Sequence, residues 1–278
     1  MFMPVKSGRS RGGGMQKIAV IGHGAVAGYV ARAAAVAGYE VGAVIARPGR
    51  RQAARAVFGD VAVVTDVDAL PAALDVVVDC AGHGGLRAHG VAVLEAGLPL
   101  ISVSVGALAD VQLLDDLTAA AGAGDTRLHL ASGAIGALDA LSAASAGTLE
   151  QVSYTGRKPP AGWRGSPAEA VLDLDGLREP AVHFDGNARD CALAYPRNAN
   201  VAASVALAGL GFDATRARLI ADPTITRNIH EVRASGDFGE FTFTIAGRGL
   251  ADNPGSSALT AMSVVRAIAN RPARVLIG

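Results

Sequence analysis

The feature that most constrains this chain is a glycine-rich turn between a short apolar run and an alanine-rich segment. Residues 17–21, KIAVI, predict a buried strand, and residues 28–37 predict a helix that Gly38 ends. The turn between them, residues 22–27, reads GHGAVA and matches the pattern G-x-G-x-x-A. A second strand is predicted over residues 40–46. Strand, glycine turn, helix and strand in this order predict the first βαβ unit of a dinucleotide-binding domain.

Three small residues of this turn are the candidate contacts with a dinucleotide. Gly22 permits the tight turn, Gly24 lets the backbone approach a pyrophosphate, and Ala27 allows the helix to pack closely on the strand. The N–H groups at the start of the helix would then face the phosphates. A glycine-rich turn that binds no ligand is the alternative that the motif alone leaves open.

The end of the second predicted strand bears on which nicotinamide dinucleotide would bind. An acidic residue usually binds the ribose there in NAD enzymes, whereas this chain has ARPGRR over residues 46–51. Arg47, with two further arginines nearby, could bind a 2′-phosphate, and no acid is present to repel one. We therefore predict NAD or NADP as the cofactor, with NADP accepted; a solvated arginine loop is the alternative.

The two halves of the chain differ in pattern. Alternating strands and helices up to residue 131 predict an α/β domain with a Rossmann-type, doubly wound parallel sheet. From about residue 151, strands with alternating faces predict a second, mixed α+β domain. We predict a disordered leader over residues 1–14, a dinucleotide-binding domain over residues 15–131 that is joined by the C-terminal helix of residues 256–278, and a substrate and dimerisation domain over residues 132–255.

Charge and cysteine content argue against several classes of partner. Lysine plus arginine and aspartate plus glutamate both number 25, so the net charge of zero favours neither nucleic acid nor an anionic membrane. The longest apolar run, residues 201–212, is too short to span a bilayer. Two cysteines, Cys80 and Cys191, are too few for a disulfide framework, so a cytoplasmic location is expected. We predict no metal site.

Several long stretches of the chain resemble the L-aspartate dehydrogenase family. They are SGAIGALDAL, YTGRKPPAGWRGSPAEA, YPRNANVAASVALAGLGFDATRARLIADP, TRNIHEV and DNPGSSALTAMSVVRAIANR, and the resemblance runs from about Lys17 to Arg271. It implies a homodimeric oxidoreductase that converts L-aspartate to iminoaspartate with NAD or NADP. The imine then hydrolyses to oxaloacetate and ammonia or feeds NAD biosynthesis. The chain departs from the family pattern at Gly255, where a lysine is expected.

The resemblance also implies site residues. The family's active-site histidine corresponds to His230, and its cofactor contacts correspond to Ala134 of the SGAIG motif and Asn200 of the NAN motif. Oxidation needs a neutral substrate amine and imine hydrolysis needs an activated water, and imidazole can serve either step as the base. Strand alternation places His230 on the same face as Val232 and Ala234, so a core histidine without a chemical role is the alternative.

The two carboxylates of aspartate need cationic or N–H partners. Arg157, Lys158 and Arg197 stand beside distinctive motifs and are the candidate substrate-binding residues, although each could instead be a surface charge. Two other functions stay open at this point. A semialdehyde dehydrogenase would need a cysteine nucleophile, for which Cys191 is the candidate, and a nucleotide-binding redox sensor would bind NAD(P)H without turning over an amino acid.

Overall fold

The chain divides into two compact units in the computed structural model, which describes residues 15–276. Unit 1 contains residues 15–104, 111–131 and 260–276, and unit 2 contains residues 105–110 and 132–259. The leader predicted over residues 1–14 lies outside the described residues. The boundaries given above for two functional domains stay predictions.

Unit 1 is built on a six-stranded parallel sheet. Its strands are β1 (Gln16–Ile21), β2 (Tyr39–Ile45), β3 (Ala62–Val64), β4 (Val76–Asp79), β5 (Leu100–Ser102) and β6 (Leu128–Leu130). Its first four helices are α1 (Ala25–Val36), α2 (Arg51–Phe58), α3 (His83–Glu95) and α4 (Val111–Ala123). The strand order is β3-β2-β1-β4-β5-β6, which is the doubly wound order with its reversal between β1 and β4. The predicted Rossmann-type fold is therefore confirmed.

Unit 2 is built on a five-stranded mixed sheet. Its strands are β7 (Leu149–Lys158), β8 (Ala181–Asn187), β9 (Arg216–Ala221), β10 (Ile229–Gly236) and β11 (Gly239–Ala246), and a separate hairpin contains β12 (Gly249–Leu250) and β13 (Asn253–Ser257). Its helices are α5 (Leu138–Ala144), α6 (Ala188–Ala194), α7 (Asn200–Ala208) and α8 (Gly211–Ala214). The strand order is β11-β10-β7-β9-β8, and only β7 and β9 pair in parallel. The predicted second, mixed α+β fold is confirmed.

The core of unit 1 lies between its sheet and apolar helix faces. Ile18 and Val20 of β1 are fully buried and pack with Val30 of α1. The last helix, α9 (Ala258–Asn270), adds Val264 and Ile268 to the same core. These strands are apolar on both faces because helices cover both sides of a doubly wound sheet. No helix within residues 15–276 is long and apolar enough to cross a membrane.

Strand β10 alternates between a buried and a polar face, as predicted. His230, Val232 and Ala234 are buried, whereas Arg233 is exposed. On the polar face, Arg233 Nε donates a hydrogen bond of 2.8 Å to Glu231 Oε1. Because β10 is paired with β7 on one side and β11 on the other, this alternation fixes which side chains face the core of unit 2.

Candidate active site

The glycine turn of unit 1 has the backbone geometry that a phosphate site requires. Gly22 has a φ of +95°, which glycine adopts readily, and a Cβ at this position would lie 3.0 Å from the Cβ of Ala81. A Cβ at Gly24 would meet nothing within 4 Å, so the space beside it is open, and Ala27 is fully buried. No side chain caps the N-terminus of α1, so its first N–H groups can bind an anion. These residues fit a dinucleotide pyrophosphate.

Three exposed arginines follow β2. Arg47 comes two residues after the strand, Arg50 precedes α2, and Arg51 begins that helix. Within the part of the chain that the structure describes, none of their side chains forms a hydrogen bond or an ion pair with a protein group. Their charges are therefore available to an anionic group of a ligand, such as a 2′-phosphate.

A buried aspartate organises the carboxyl edge of the same sheet. Asp79, the last residue of β4, accepts hydrogen bonds at Oδ2 from the hydroxyls of Ser102 (2.7 Å) and Ser104 (2.6 Å), and at Oδ1 from the N–H of Ala81 (3.0 Å). Burial raises the pKa of Asp79, and these hydrogen bonds oppose the rise. The network holds the turns after β4 and β5 at the edge where such sheets bind ligands. Sequence analysis missed Asp79. The sequence signal that could have identified it is an acidic residue at the end of an apolar run.

His230 is held by a buried tyrosine in unit 2. Its side chain is 4% exposed, and its Nδ1 lies 2.8 Å from the hydroxyl oxygen of Tyr154. Burial lowers the pKa of His230 to about 4, and the positive charge of Lys158 acts in the same direction. The ring is therefore neutral at neutral pH and can accept a proton. Because Nδ1 faces Tyr154, Nε2 is the nitrogen left for a ligand.

Lys158 ends β7 as a buried cation. Its Nζ donates a hydrogen bond of 2.5 Å to Asn198 Oδ1 and lies 4.9 Å from the centroid of the Trp163 ring. Burial lowers the pKa of Lys158 to about 8. Its charge also contributes to the lowered pKa values of His183 and His230. A buried ammonium whose hydrogen-bond partner is a neutral amide is well suited to bind a carboxylate.

The other two candidate cations have different surroundings. Arg157 lies on the opposite face of β7 from Lys158, and its Nη2 is 3.3 Å from Oδ2 of the buried Asp222. Arg197 is exposed, and its side chain has no hydrogen-bond or ion-pair partner among residues 15–276. Of the three predicted substrate-binding residues, Lys158 is the one that the structure brings to the face of His230.

An aromatic cluster that sequence analysis missed adjoins Lys158. Trp163 is fully buried, and its Nε1 donates a hydrogen bond of 3.1 Å to the carbonyl of Ile220. The ring of His183 meets Trp163 edge-on at 4.3 Å, and its Nδ1 lies 3.1 Å from the hydroxyl of Tyr195. Burial, followed by the charge of Lys158, lowers the pKa of His183 to about 4. No motif surrounds His183, so nothing in the sequence connects it with Lys158.

The two cofactor contacts that the family resemblance implies, Ala134 and Asn200, both lie in unit 2. Ala134 is nearly buried and follows Gly133, whose φ is +71°. Asn200 is the first residue of α7, and its Oδ1 accepts a hydrogen bond of 2.8 Å from the N–H of Gly106. Their contact with a cofactor stays a prediction.

Cys191 does not have the properties of a catalytic nucleophile. The residue is fully buried in α6, and burial raises the pKa of its thiol to about 12. Aldehyde oxidation through a covalent intermediate needs a thiolate that a substrate can reach. The structure therefore gives no support to the semialdehyde dehydrogenase alternative.

Known proteins share both halves of this chain. Residues 139–271 match the family described as aspartate dehydrogenase, C-terminal, and residues 20–131 match the homoserine dehydrogenase NAD-binding domain. The L-aspartate dehydrogenase of Ruegeria pomeroyi is 58% identical over 259 residues, which cover 93% of this chain and 94% of that protein. The L-aspartate dehydrogenase of Pseudomonas aeruginosa is 54% identical over 206 residues, covering 73% and 77%.

A solved structure agrees with the sequence relatives. The crystal structure of aspartate dehydrogenase from Thermotoga maritima matches with a TM-score of 0.75 at 25% identity, covering 95% of this chain and 99% of that one. A hyperthermophilic archaeal homoserine dehydrogenase in complex with NADPH has a TM-score of 0.58 at 12% identity, which shows a shared fold alone. The relatives match through both the nucleotide-binding half and the half that carries His230 and Lys158, and the chain belongs to the L-aspartate dehydrogenase family.

Proposed function

We propose that the protein is an NAD(P)-dependent L-aspartate dehydrogenase, which oxidises L-aspartate to iminoaspartate in a reversible reaction. The imine hydrolyses to oxaloacetate and ammonia. The observation that carries this proposal is that His230 and Lys158 are both buried on the same face of the paired strands β10 and β7, in the half of the chain that matches aspartate dehydrogenases. A bound nicotinamide would supply the acceptor for the hydride that leaves the Cα of the substrate.

His230 is proposed as the acid–base group. The Cα of aspartate releases hydride only when the attached amine is neutral, so a base must first take a proton from the ammonium. His230 is neutral and has Nε2 available for that proton. The two carboxylates of a bound substrate would raise the pKa of the ring, because negative charge favours the imidazolium form. The same nitrogen can take a proton from the water that hydrolyses the imine.

Lys158 is proposed to bind one substrate carboxylate. Among the residues that the structure describes, no aspartate or glutamate forms an ion pair with its Nζ, and Asn198 offers a neutral oxygen. A substrate carboxylate would supply the missing negative charge in a site that water reaches poorly, where a charge-assisted hydrogen bond is strong. The exposed Arg197 stays the candidate for the second carboxylate, whereas Arg157 already pairs with Asp222.

The cofactor would be held mainly by unit 1. The turn of Gly22, Gly24 and Ala27 and the start of α1 would bind the pyrophosphate, and Arg47 would bind the 2′-phosphate of NADP. The family resemblance supports further contacts from Ala134 and Asn200. It also supports a cytoplasmic homodimer. The small molecules that this enzyme would bind are L-aspartate, oxaloacetate and ammonia.

Turnover with two acidic amino acids tests the proposal. The purified protein is expected to reduce NAD or NADP with L-aspartate, and its kcat/KM for L-glutamate should be lower by about 10–200-fold, as for one misplaced methylene. The extra methylene would displace the side-chain carboxylate from a fixed cation. The absorbance of the reduced nicotinamide measures both rates. Equal rates would contradict the substrate assignment, and NADH binding without any turnover would support the redox sensor.

Arg47 should decide how well NADP is used. The substitution Arg47→Asp is expected to raise KM for NADP by about 10-fold or more relative to KM for NAD, because it removes a charge-assisted contact and adds a repulsive charge. Arg55→Asp is the matched control, since Arg55 is an exposed arginine of α2 whose ion pair is with Asp60. An equal effect of Arg47→Asp on both cofactors would show that Arg47 does not contact the 2′-phosphate.

A further inference from the structure

Tyr154 reaches His230 along the pleat of neighbouring strands. In the antiparallel pairing of β7 with β10, Gly156 lies opposite His230 and Tyr154 lies opposite Val232. Tyr154 and Gly156 are two residues apart, so both face the buried side of the sheet. The tyrosine side chain therefore leans past Gly156 before its hydroxyl meets Nδ1 of His230 at 2.8 Å.

Gly156 leaves the space through which that hydroxyl passes. A Cβ at this position would lie 2.5 Å from the hydroxyl oxygen of Tyr154, 3.1 Å from the ring carbon that carries it, and 3.2 Å from a methyl group of Leu219. Real Cβ atoms essentially never approach another atom to 2.5 Å. Gly156 is not among the glycines with positive φ, so the position requires glycine for room and not for backbone conformation.

We propose that Tyr154 is a positioning residue that sets the orientation and the tautomer of His230 through Nδ1, and that Gly156 lacks a side chain so that the tyrosine hydroxyl can reach that atom. The inference rests on the proposed role of His230. It extends that role, because a base must present a defined nitrogen to the substrate, and the state of Nε2 is set by the hydrogen bond at Nδ1.

The hydroxyl of Tyr154 suits this task chemically. A base needs a lone pair on Nε2, so in the proposed arrangement Nδ1 carries the hydrogen and donates it to the hydroxyl oxygen of Tyr154, which can accept it. Burial raises the pKa of Tyr154 far above its usual range, so the phenol keeps its proton throughout the reaction. Of the described residues, only Tyr154 forms a hydrogen bond with the ring of His230. One contact therefore governs both ring nitrogens.

The substitution Tyr154→Phe tests the proposal by removing the hydroxyl alone. We expect kcat to fall by about 10–100-fold, as when outer partners of metal-binding histidines are lost. The affinity for NADH should stay unchanged. Tyr39→Phe is the matched control. Tyr39, the first residue of β2, is an equally buried tyrosine, and its hydroxyl donates a hydrogen bond to the carbonyl of Ile268. Both variants lose one buried hydroxyl, so their melting temperatures should fall by similar amounts, while Tyr39→Phe keeps wild-type kcat.

The ¹⁵N chemical shifts of the His230 ring, measured by NMR in the ligand-free protein, would not change if Tyr154 had only a structural role. With ¹⁵N-labelled histidine, the two ring nitrogens of His230, assigned by comparison with His230→Gln, should be well separated at neutral pH in the wild type. In Tyr154→Phe they should approach each other as the tautomers mix. Unchanged, well-separated resonances in Tyr154→Phe would overturn the proposal even if His230 proves essential. Wild-type kcat in a folded His230→Gln protein would instead overturn the proposed function.

Gly156→Ala tests whether the Tyr154 hydroxyl needs the space that the missing side chain of Gly156 leaves. The added methyl group should displace the Tyr154 hydroxyl and lower kcat by a factor similar to that of Tyr154→Phe. In the double variant Tyr154→Phe/Gly156→Ala, the hydroxyl oxygen that the added methyl group would contact most closely is absent. The fall in kcat should therefore be smaller than the product of the two single-variant effects. Losses that multiply would overturn the role given to Gly156, as would a Gly156→Ala protein with wild-type kcat and wild-type His230 resonances.

Discussion

Replacing His230 with glutamine is expected to lower kcat by about 10²–10⁴-fold, the usual range for loss of an acid–base group. NADH binding should change little, because the proposed pyrophosphate site consists of Gly22, Gly24 and the start of α1 and does not include His230. Glutamine is the appropriate replacement, because a 4% exposed His230 leaves a cavity when cut to alanine, whereas an amide can still bond to Tyr154.

Measuring kcat, NADH affinity and melting temperature on this variant distinguishes a catalytic histidine from a structural one. His89→Gln is the matched control, since His89 is a half-buried histidine within α3. A folded, NADH-binding His230→Gln protein with near wild-type kcat would remove His230 from the mechanism. A lower melting temperature, with activity that falls only as far as the folded fraction, would identify His230 as a core residue.

Lys158→Met should separate activity from stability. Losing a hydrogen bond to a charged group is expected to lower kcat/KM for L-aspartate by about 10–100-fold. The melting temperature should stay level or rise, because methionine fills the volume of the lysine stem and a buried ammonium without an acidic partner disfavours the folded state. The measurements are steady-state kinetics and thermal unfolding of the same preparation.

The neighbouring substitution Arg157→Met is the control for Lys158→Met, with the opposite expectation. It would leave the buried Asp222 without its cation, so the melting temperature should fall while kcat/KM per folded molecule is kept. If Arg157→Met weakens substrate binding and Lys158→Met does not, the assignment of the carboxylate-binding cation is wrong.

The pH dependence of ligand binding provides a second check on Lys158. Its pKa of about 8 means that the cation is present below that pH and is lost as the pH rises through it. Succinate carries two carboxylates and no amine, so its inhibition constant should increase above about pH 8 in the wild-type enzyme. In Lys158→Met the inhibition constant should be larger and lose this dependence.

Sequence patterns predicted the elements whose causes are local. The glycine turn, the second strand of the βαβ unit and the common face of His230 and Val232 each depend on neighbouring residues, and each was predicted. The partner of His230 was not predictable in this way. Tyr154 lies 76 residues earlier in the chain, and only the register between β7 and β10 brings the two together.

The sequence left three candidate cations without a choice among them for the same reason. Alternation indicates that Arg157 and Lys158 face opposite sides of a strand, but the sequence does not say which side is buried. Pairing with β9 and β10 decides it, by aligning Lys158 with Ala221 and Gly156 with His230. Asp79 was overlooked because its partners lie at the end of the next strand, Ser102 as the last residue of β5 and Ser104 just after it, and only the parallel sheet brings them close.

Strand β7 lies third of five in its sheet, paired with β10 on one side and β9 on the other. Losing or gaining a single residue between Leu149 and Lys158 would turn every following side chain to the other face. Arg157 would then point into the core and Lys158 out of it, and Tyr154 could lose His230 altogether. Evolution can therefore vary this segment by exchanging residues but not by changing its length.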